Sequence, residues 1–599
     1  MSTAIVTGQP VPGSPIEGEL RTLGFDVRTA SDAAEAAALL RTVPTGRVAL
    51  VDAGFVGHLH ALRLGLTDPR FPAGALPGAV TVQDASRAAL TRALEAEAGR
   101  PAPGGAAVRT GTGLPDRLAG ALQAEGVAVH RPELGALVAR VPLAPQERSE
   151  ARQAVAAVDD EAIRLRTAVK SRDGFFTTYC ISPYSRYLAR WCARRGLTPN
   201  QVTTASLVTA LIAAGCAATG TRAGFVAAGL LLLFSFVLDC TDGQLARYSL
   251  QYSTLGAWLD ATFDRAKEYA YYAGLALGAA RGGDDVWALA LGAMVLQTCR
   301  HVVDFSFNEA NHDAEANTSP TAALSGRLDS VGWTVWLRRM IVLPIGERWA
   351  LIAVLTAVTT PRITFVVLLI GCALAAAYTT AGRLLRSLTR KAERTDRAAQ
   401  ALADLADSGP LAEALSPRLR PFVKLPAPAV AALGGVILVA VTALTPAGSA
   451  GPLLGAVVYV LCSSLAVSRP LTGALDWLVP PFFRAAEYGV ILLLAARADD
   501  SGALPAAFGL VAAVAYHHYD TVYRIRGGSG APPRALVRAT GGHEGRVLLV
   551  TAASLLAPSG FTVALTVLAV AVALVVLAES IRFWVSAGAP AVHDEGEPA

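Results

Sequence analysis

Residues 239–264 read DCTDGQLARYSLQYSTLGAWLDATFD, directly after the apolar run LLLLFSFVL at 230–238. Four aspartates beside a run that belongs in a bilayer demand an explanation, because a carboxylate at membrane depth is costly unless a metal, a counter-charge or a proton path compensates it. Asp239 and Asp242 are three apart at the end of one apolar helix, and Asp260 and Asp264 are four apart at the start of the next. Each pair therefore shares a helix face. Gly243 and Gly256 keep the chain thin where the helices would face each other, leaving room for a ligand near backbone. Converging carboxylates without His or Cys make a hard-oxygen site, suited to magnesium or manganese rather than zinc. Such ions would clamp a diphosphate and neutralise charge that builds up during transfer.

The rest of the chain agrees with a membrane setting. Of 599 residues, 53% are hydrophobic and 17% charged, too apolar for an ordinary soluble protein and too long for one domain. The mean hydropathy is +0.43. The first few dozen residues lack the basic start, apolar core and small-residue cleavage site of a secretory signal. The seven cysteines are scattered and never paired as CxxC, which argues against a zinc site or a disulfide framework. A net charge of +5 gives no reason to expect a nucleic-acid partner.

Residues 1–165 alternate short β-like runs (TAIVTG, RVALVDAGF, GVAVHR) with Ala-rich helical ones, the pattern of a soluble α/β domain. TGQPVPGSP near the start reads either as a degenerate nucleotide-binding loop or as a plain structural one; no GxGxxG or GKS/GKT pattern is present. SPYSRYLARWCARR (182–195) places Tyr184, Tyr187, Leu188 and Trp191 on one helical face and Arg186, Arg190 and Arg194 on another, as in a helix lying on anionic lipid. Apolar spans follow at about 201–220, 223–240, 255–280, 286–307, 347–360 and 363–382. A basic linker at 391–425 precedes six more, near 428–446, 452–468, 482–498, 503–518, 546–557 and 560–583. Arginines gather after the second, fourth and sixth spans, which places the N-terminal domain and the acid-rich end of the second span on the cytoplasmic side, in the inner membrane.

The second set echoes the first: FFRAAEY (482–488) against FDRAKEY (263–269), HHYD (517–520) against HVVD (301–304), and Glu544 to Arg546 where Glu347 and Arg348 would fall. We read residues 426–590 as a diverged, degenerate six-span repeat. In that alignment Phe483 replaces Asp264 and Val479 replaces Asp260, so this half should not catalyse. His517, His518, Asp520, His543 and Glu544 are expected to be solvated loop residues or to form a separate site.

Asp239, Asp242, Gly243, Ala246, Arg247, Gly256, Asp260 and Asp264 fit D-x2-D-G-x2-A-R-x8-G-x3-D-x3-D at every fixed position. This resembles the signature of the CDP-alcohol phosphotransferase family, over about residues 170–390. The resemblance implies a mainly α-helical polytopic membrane enzyme with a six-span unit, displacing CMP from a CDP-linked lipid or alcohol donor by the hydroxyl of an acceptor alcohol. It also implies two Mg2+ or Mn2+ ions, one held by Asp239, Asp242 and Asp260, the other by Asp239, Asp260 and Asp264. Asp264 would be the general base, Gly243, Ala246 and Gly256 would line the cytidine pocket, and Arg247 would lie near the diphosphate. The stretch 170–200 is similar to the membrane half of bifunctional inositol-phosphate cytidylyltransferase and di-myo-inositol phosphate phosphate synthase proteins, which favours an inositol phosphate acceptor over glycerol phosphate or a simple polyol. A phosphorylated acceptor needs cations near the acids; Arg265, Lys267, Arg300, His301, Arg338 and Arg339 are the candidates. A transporter built from two six-span repeats is the alternative of another class, disfavoured because the acids lie in one half only. The sequence leaves the oligomeric state open, a homodimer included.

Overall fold

In the computed structural model, residues 2–99, 113–170, 173–312, 342–389, 394–422 and 425–586 are described. The N-terminal part is an α/β layer. Strands β1 (Ser2–Thr7), β2 (Phe25–Ala30), β3 (Val48–Asp52), β5 (Ala73–Leu76), β6 (Ala79–Val82) and β7 (Val129–His130) form one sheet in the order β2-β1-β3-β6-β5-β7. β1 pairs parallel with β2 and β3, and β6 antiparallel with β3 and β5. A small second pairing joins β4 (Val56–Gly57) to β8 (Ala139–Arg140). Helices α1 (Ile16–Thr22), α2 (Ala33–Thr42), α3 (Leu59–Leu66), α4 (Arg87–Ala98), α5 (Leu114–Ala124), α6 (Pro145–Ala156) and α7 (Asp160–Thr167) complete it. Ile5 and Leu50 face one core while Ala4, Val6, Ala49 and Val51 face the other, as expected where helices cover both faces of a sheet. The TGQPVPGSP stretch joins β1 to α1, with Gly8 and Gly13 at positive φ.

A helix α8 (Ser182–Arg194) follows, with Tyr184, Tyr187 and Trp191 exposed on one face as its pattern predicted. Next come α9 (Pro199–Ala218), α10 (Arg222–Ser249), α11 (Thr254–Arg281), α12 (Trp287–Asn311), α13 (Ile345–Val358) and α14 (Pro361–Thr389). Two short helices, α15 (Asp396–Ala406) and α16 (Pro410–Leu419), lead into α17 (Ala427–Leu444), α18 (Gly451–Ala466), α19 (Val479–Ala496), α20 (Ala503–Arg526), α21 (Arg534–Ala539), α22 (Gly542–Ala553) and α23 (Pro558–Ser586).

Helices thus stand at the twelve expected positions, and six of them, among the described residues, are long and apolar enough to cross a bilayer: Pro199–Ala218, Arg222–Ser249, Pro361–Thr389, Ala427–Leu444, Asp476–Ala496 and Pro558–Ser586. Length and apolarity alone thus mark half of the twelve expected spans. α13 and α22 have only 14 and 12 residues, and α18 has 16. α11, α12 and α20 are long but carry buried charges, including Lys267, Glu268, Arg300, Asp520 and Arg524. A helix surrounded by other helices faces protein partners instead of lipid, so it need not be apolar all round.

The two sets pair their helices in the same way. α9 packs on α10 and α11, α10 on α13, and α12 on α14; correspondingly α17 packs on α18 and α19, α18 on α22, and α20 on α23. Close approach of α9 and α11 depends on glycine. A Cβ on Gly274 would lie 2.4 Å from the Ala214 carbonyl oxygen, and one on Gly278 2.0 Å from that of Ala217. Spacing small residues four apart is how helices meet at backbone distance in membranes. Gly278→Leu should therefore destabilise the helical body by about 3 kcal/mol. Thermal unfolding in detergent checks this, and an unchanged midpoint would contradict the close contact.

The α/β layer is tied to the helices at the end of α10. Arg164 lies 3.4 Å over the Tyr248 ring and its Nε donates to the Tyr248 carbonyl at 2.8 Å. The Tyr248 hydroxyl donates to Glu161 at 2.8 Å, and Arg70 lies 4.1 Å over the Tyr252 ring.

Candidate active site

The expected apolar span to residue 240 continues as helix for more than two further turns, to Ser249. Asp239 and Asp242 therefore sit inside α10 and not at its end. The extension stays helical because it buries Thr241, Asp242, Gln244, Leu245 and Tyr248 against neighbouring elements, with Gln244 accepting from Ser185 at 2.8 Å. Leu250, at φ 53, closes the helix, and the Gln251 amide donates to the Ala246 carbonyl at 3.0 Å. Ser253 then caps α11, accepting from the Gly256 amide at 2.9 Å. The reversal between the helices takes only residues 250–253, which brings the two acid pairs face to face.

Asp239, Asp260 and Asp264 each offer a carboxylate oxygen within 4.8 Å of the others. That is the spread a hard divalent cation can gather, and the donor set is oxygen alone. Asp242 is outside this group of three. Its side chain is buried, and Oδ2 has no hydrogen-bond partner. A buried carboxylate oxygen without a hydrogen-bond partner, beside three other aspartates, suits a cation ligand better than a structural acceptor.

Lys267 lies within the cluster. Only 2% exposed, its Nζ binds Asp239 Oδ1 and lies 3.3 Å from Asp264 Oδ1. The sequence suggests it as an acceptor-binding cation; in the structure it is the counter-charge of the acids. Gly256 is needed for packing, since a Cβ there would lie 2.8 Å from Asn200 Oδ1. Gly243 is different: a Cβ would meet only the Arg247 guanidinium, at 3.5 Å. Arg247 Nε donates to the Ala168 carbonyl at 2.6 Å, which anchors it at the foot of the N-terminal segment.

Among the described residues, the bonds of Arg265, Arg300 and His301 lead to groups other than the four aspartates. Arg265 donates to Glu268 at 2.8 Å, and Glu268 also takes Arg348 at 3.3 Å and the Tyr272 hydroxyl at 2.8 Å. Arg300 donates to the Val342 carbonyl. His301 pairs with Gln297 at 2.6 Å and with the Tyr519 hydroxyl at 2.5 Å. Arg338 and Arg339 lie outside the described residues. Asn200 and the Arg265–Glu268–Arg348 tie were not singled out from sequence; the i,i+3 spacing of Arg265 and Glu268 was the available signal.

The second helix set contains the same tie. Arg484 donates to Glu487 at 2.7 Å and Arg546 to Glu487 at 2.5 Å. Phe483 and Val479 are fully buried where the alignment puts Asp264 and Asp260. His517, His518, Asp520, His543 and Glu544 are all buried, not solvated loop residues. Distant partners reach several of them: Asp407 accepts from His517 at 3.1 Å as well as from Arg484 at 2.9 Å and Arg546 at 2.8 Å, the Tyr459 hydroxyl pairs with His543 at 2.8 Å, and Glu544 accepts from the Gly409 amide at 2.8 Å. Burial alone would push the Asp407 carboxyl up, but the guanidiniums of Arg546 and Arg484 overrule it and hold it well below the ordinary carboxylate range.

Residues 196–377 match the family described as CDP-alcohol phosphatidyltransferase, and the whole acid motif lies inside that segment. The chain carries a domain of this family, a class of transferases of phosphate-containing groups. Residues 396–599 match a separate family of unknown function (DUF5941). Among curated proteins, the chain is similar to a phosphatidylinositol phosphate synthase of Streptomyces avermitilis, 33% identical over 20% of this chain and 51% of that one. It is also similar to a bifunctional IPC transferase and DIPP synthase of Aquifex aeolicus, 26% identical over 34% of this chain and 46% of the other. An archaetidylinositol phosphate synthase of Pyrococcus horikoshii is 29% identical over 19% and 58%. The chain thus spans about half the length of these relatives.

Proposed function

We propose that residues 170–389 transfer a substituted phosphoryl group from a CDP-linked donor, CDP-diacylglycerol or CDP-inositol, to the hydroxyl of an inositol phosphate, with release of CMP. The observation that carries this reading is the trio of carboxylates, Asp239, Asp260 and Asp264, gathered within 4.8 Å across the α10–α11 reversal. Three similar proteins whose names specify IPC, DIPP or inositol phosphate products support the acceptor class over glycerol phosphate. A transporter site would draw on both helix sets, and the second offers Phe483 and Val479 instead of acids.

In this reading Asp239, Asp242 and Asp260 would hold one divalent ion, and Asp239, Asp260 and Asp264 a second. When bound, Mg2+ or Mn2+ supplies charge neutralisation at the diphosphate. The chain's own residues do the rest. Gly243, where a Cβ would lie 3.5 Å from the Arg247 guanidinium, leaves space for the cytidine to approach the α10 backbone; Ala246 and Gly256 would be the other residues of the cytidine pocket. Arg247, whose Nε is held by the Ala168 carbonyl, would lie near the diphosphate as its positive charge. Asp264 takes the proton of the acceptor hydroxyl as its oxygen bonds to the donor's distal phosphorus; the bond from that phosphorus to the bridging oxygen breaks, and CMP leaves with the electron pair. Residues 426–586 are a diverged copy of the same helix arrangement without the acids. The acid-rich ends and the α/β domain face the cytoplasm, where the arginines of the connecting segments lie.

Purified full-length chain with CDP-diacylglycerol or CDP-inositol, Mg2+ and a panel of alcohols tests the reading by CMP formation. CMP release should depend on an added inositol phosphate, stop with EDTA, and return with excess Mg2+ or Mn2+. Release that survives chelation, or that no alcohol stimulates, would sink it.

A further inference from the structure

The second helix set touches α11, the helix that carries Asp260 and Asp264, at two buried points. Two residues before Asp260, Trp258 stacks on Trp584 of α23, with ring centroids 6.0 Å apart and planes at 19°. One residue after Asp264, the Arg265 guanidinium lies 5.3 Å from the ring centre of Tyr519 in α20. Trp258 and Arg265 are both 8% exposed, Tyr519 3% and Trp584 4%.

Neither aromatic anchor is free to drift. The Tyr519 hydroxyl is bound to His301 Nδ1 at 2.5 Å. The Trp584 indole N–H donates to Asp520 Oδ1 at 2.7 Å, and Ser580 donates to the same oxygen at 2.7 Å. Asp520 Oδ2 in turn lies 2.9 Å from Arg524 Nε. Buried hydrogen bonds of this kind fix ring orientation as well as position.

The helical repeat gives these contacts their meaning. At about 100° per residue, positions 258 and 265 nearly superpose, while 260 and 264 point away from them, about 100–160° further round the helix. The anchors grip the back of α11 and thereby set which way the two acids face. We infer that residues 396–586, a segment matching a family of unknown function, act as the positioning partner of the acid-bearing helix, with Tyr519 and Trp584 as positioning residues for the metal-binding carboxylates. This rests on the proposed metal-dependent transfer.

The test is Mn2+ binding by the purified full-length chain, followed by electron paramagnetic resonance or calorimetry, alongside the Mn2+ dependence of CMP release. Tyr519→Leu and Trp584→Leu keep buried apolar volume but remove the flat rings. Each should weaken Mn2+ binding about tenfold, the scale on which groups supporting a metal's ligands act, with turnover largely regained at saturating Mn2+. Trp584→Phe, which keeps a ring against Trp258, should restore most of the affinity. Should a Leu variant fail to fold, Tyr519→Phe against Trp584→Phe still decides: both retain a ring and both must bind Mn2+ within about threefold of the parent. Folded Leu variants with unchanged Mn2+ affinity would overturn the inference while leaving the transferase reading intact. A parent chain that binds no Mn2+ would overturn both.

Discussion

Asp264→Asn is expected to reduce CMP release by about a thousandfold, within the range a positioned general base supplies. Asparagine keeps the volume and one carbonyl oxygen at this position but cannot accept a proton at neutral pH. The other two carboxylates of the trio, Asp239 and Asp260, stay in place, so the donor should still bind. Single-turnover CMP formation at saturating Mn2+, with CDP-donor binding measured separately by calorimetry, distinguishes lost chemistry from lost binding. A variant retaining a tenth or more of parental turnover would move the base elsewhere.

The second large effect concerns Lys267. Three carboxylates with oxygens within 4.8 Å repel one another, and the buried Nζ is bonded to two of the three residues. Lys267→Met keeps the length of the side chain and removes the charge. Breaking a buried ion pair from one side costs about 3–5 kcal/mol, because the remaining charges are left uncompensated. That loss should appear in EDTA as a clearly lower unfolding temperature. Excess Mg2+ should recover most of it, because a divalent cation replaces the missing charge and binds a more negative site. Thermal unfolding of parent and variant, each with EDTA and with Mg2+, gives the comparison. An equal drop in both conditions would show that Lys267 acts through packing and not as counter-charge.

The acids were legible in the sequence because their i,i+3 and i,i+4 spacings and the short link between the pairs leave few ways to arrange them. The role of Lys267 was not legible. Its spacing from Asp264 allowed an ion pair, but the choice between a carboxylate and a substrate phosphate depends on where Asp239 comes to lie, 28 residues earlier in the chain. For a related reason, the sequence leaves His517, His543 and Glu544 open between solvated loop residues and a separate site. Their partners, Asp407, Tyr459 and the Gly409 amide, come from segments whose approach no local pattern announces. Likewise α11, α12 and α20 looked like ordinary spans interrupted by polar residues, because the sequence does not say which helices are enclosed by others. In the α/β domain, β1 and β3 stood out as apolar runs. The pair β5 and β6 lies in the Gly- and Pro-rich FPAGALPGAVTV, which reads more readily as punctuation.

The turn that joins the two acid-bearing helices is also gripped from beyond the helical bundle. Tyr248, just before it, and Tyr252, within it, each carry an arginine from the α/β domain on their ring. A four-residue reversal clasped in this way has little freedom left to lose. The entropy of bringing the carboxylates together is spent when the chain folds, so attraction between protein and nucleotide need not be used to assemble the site and remains available for the reaction itself.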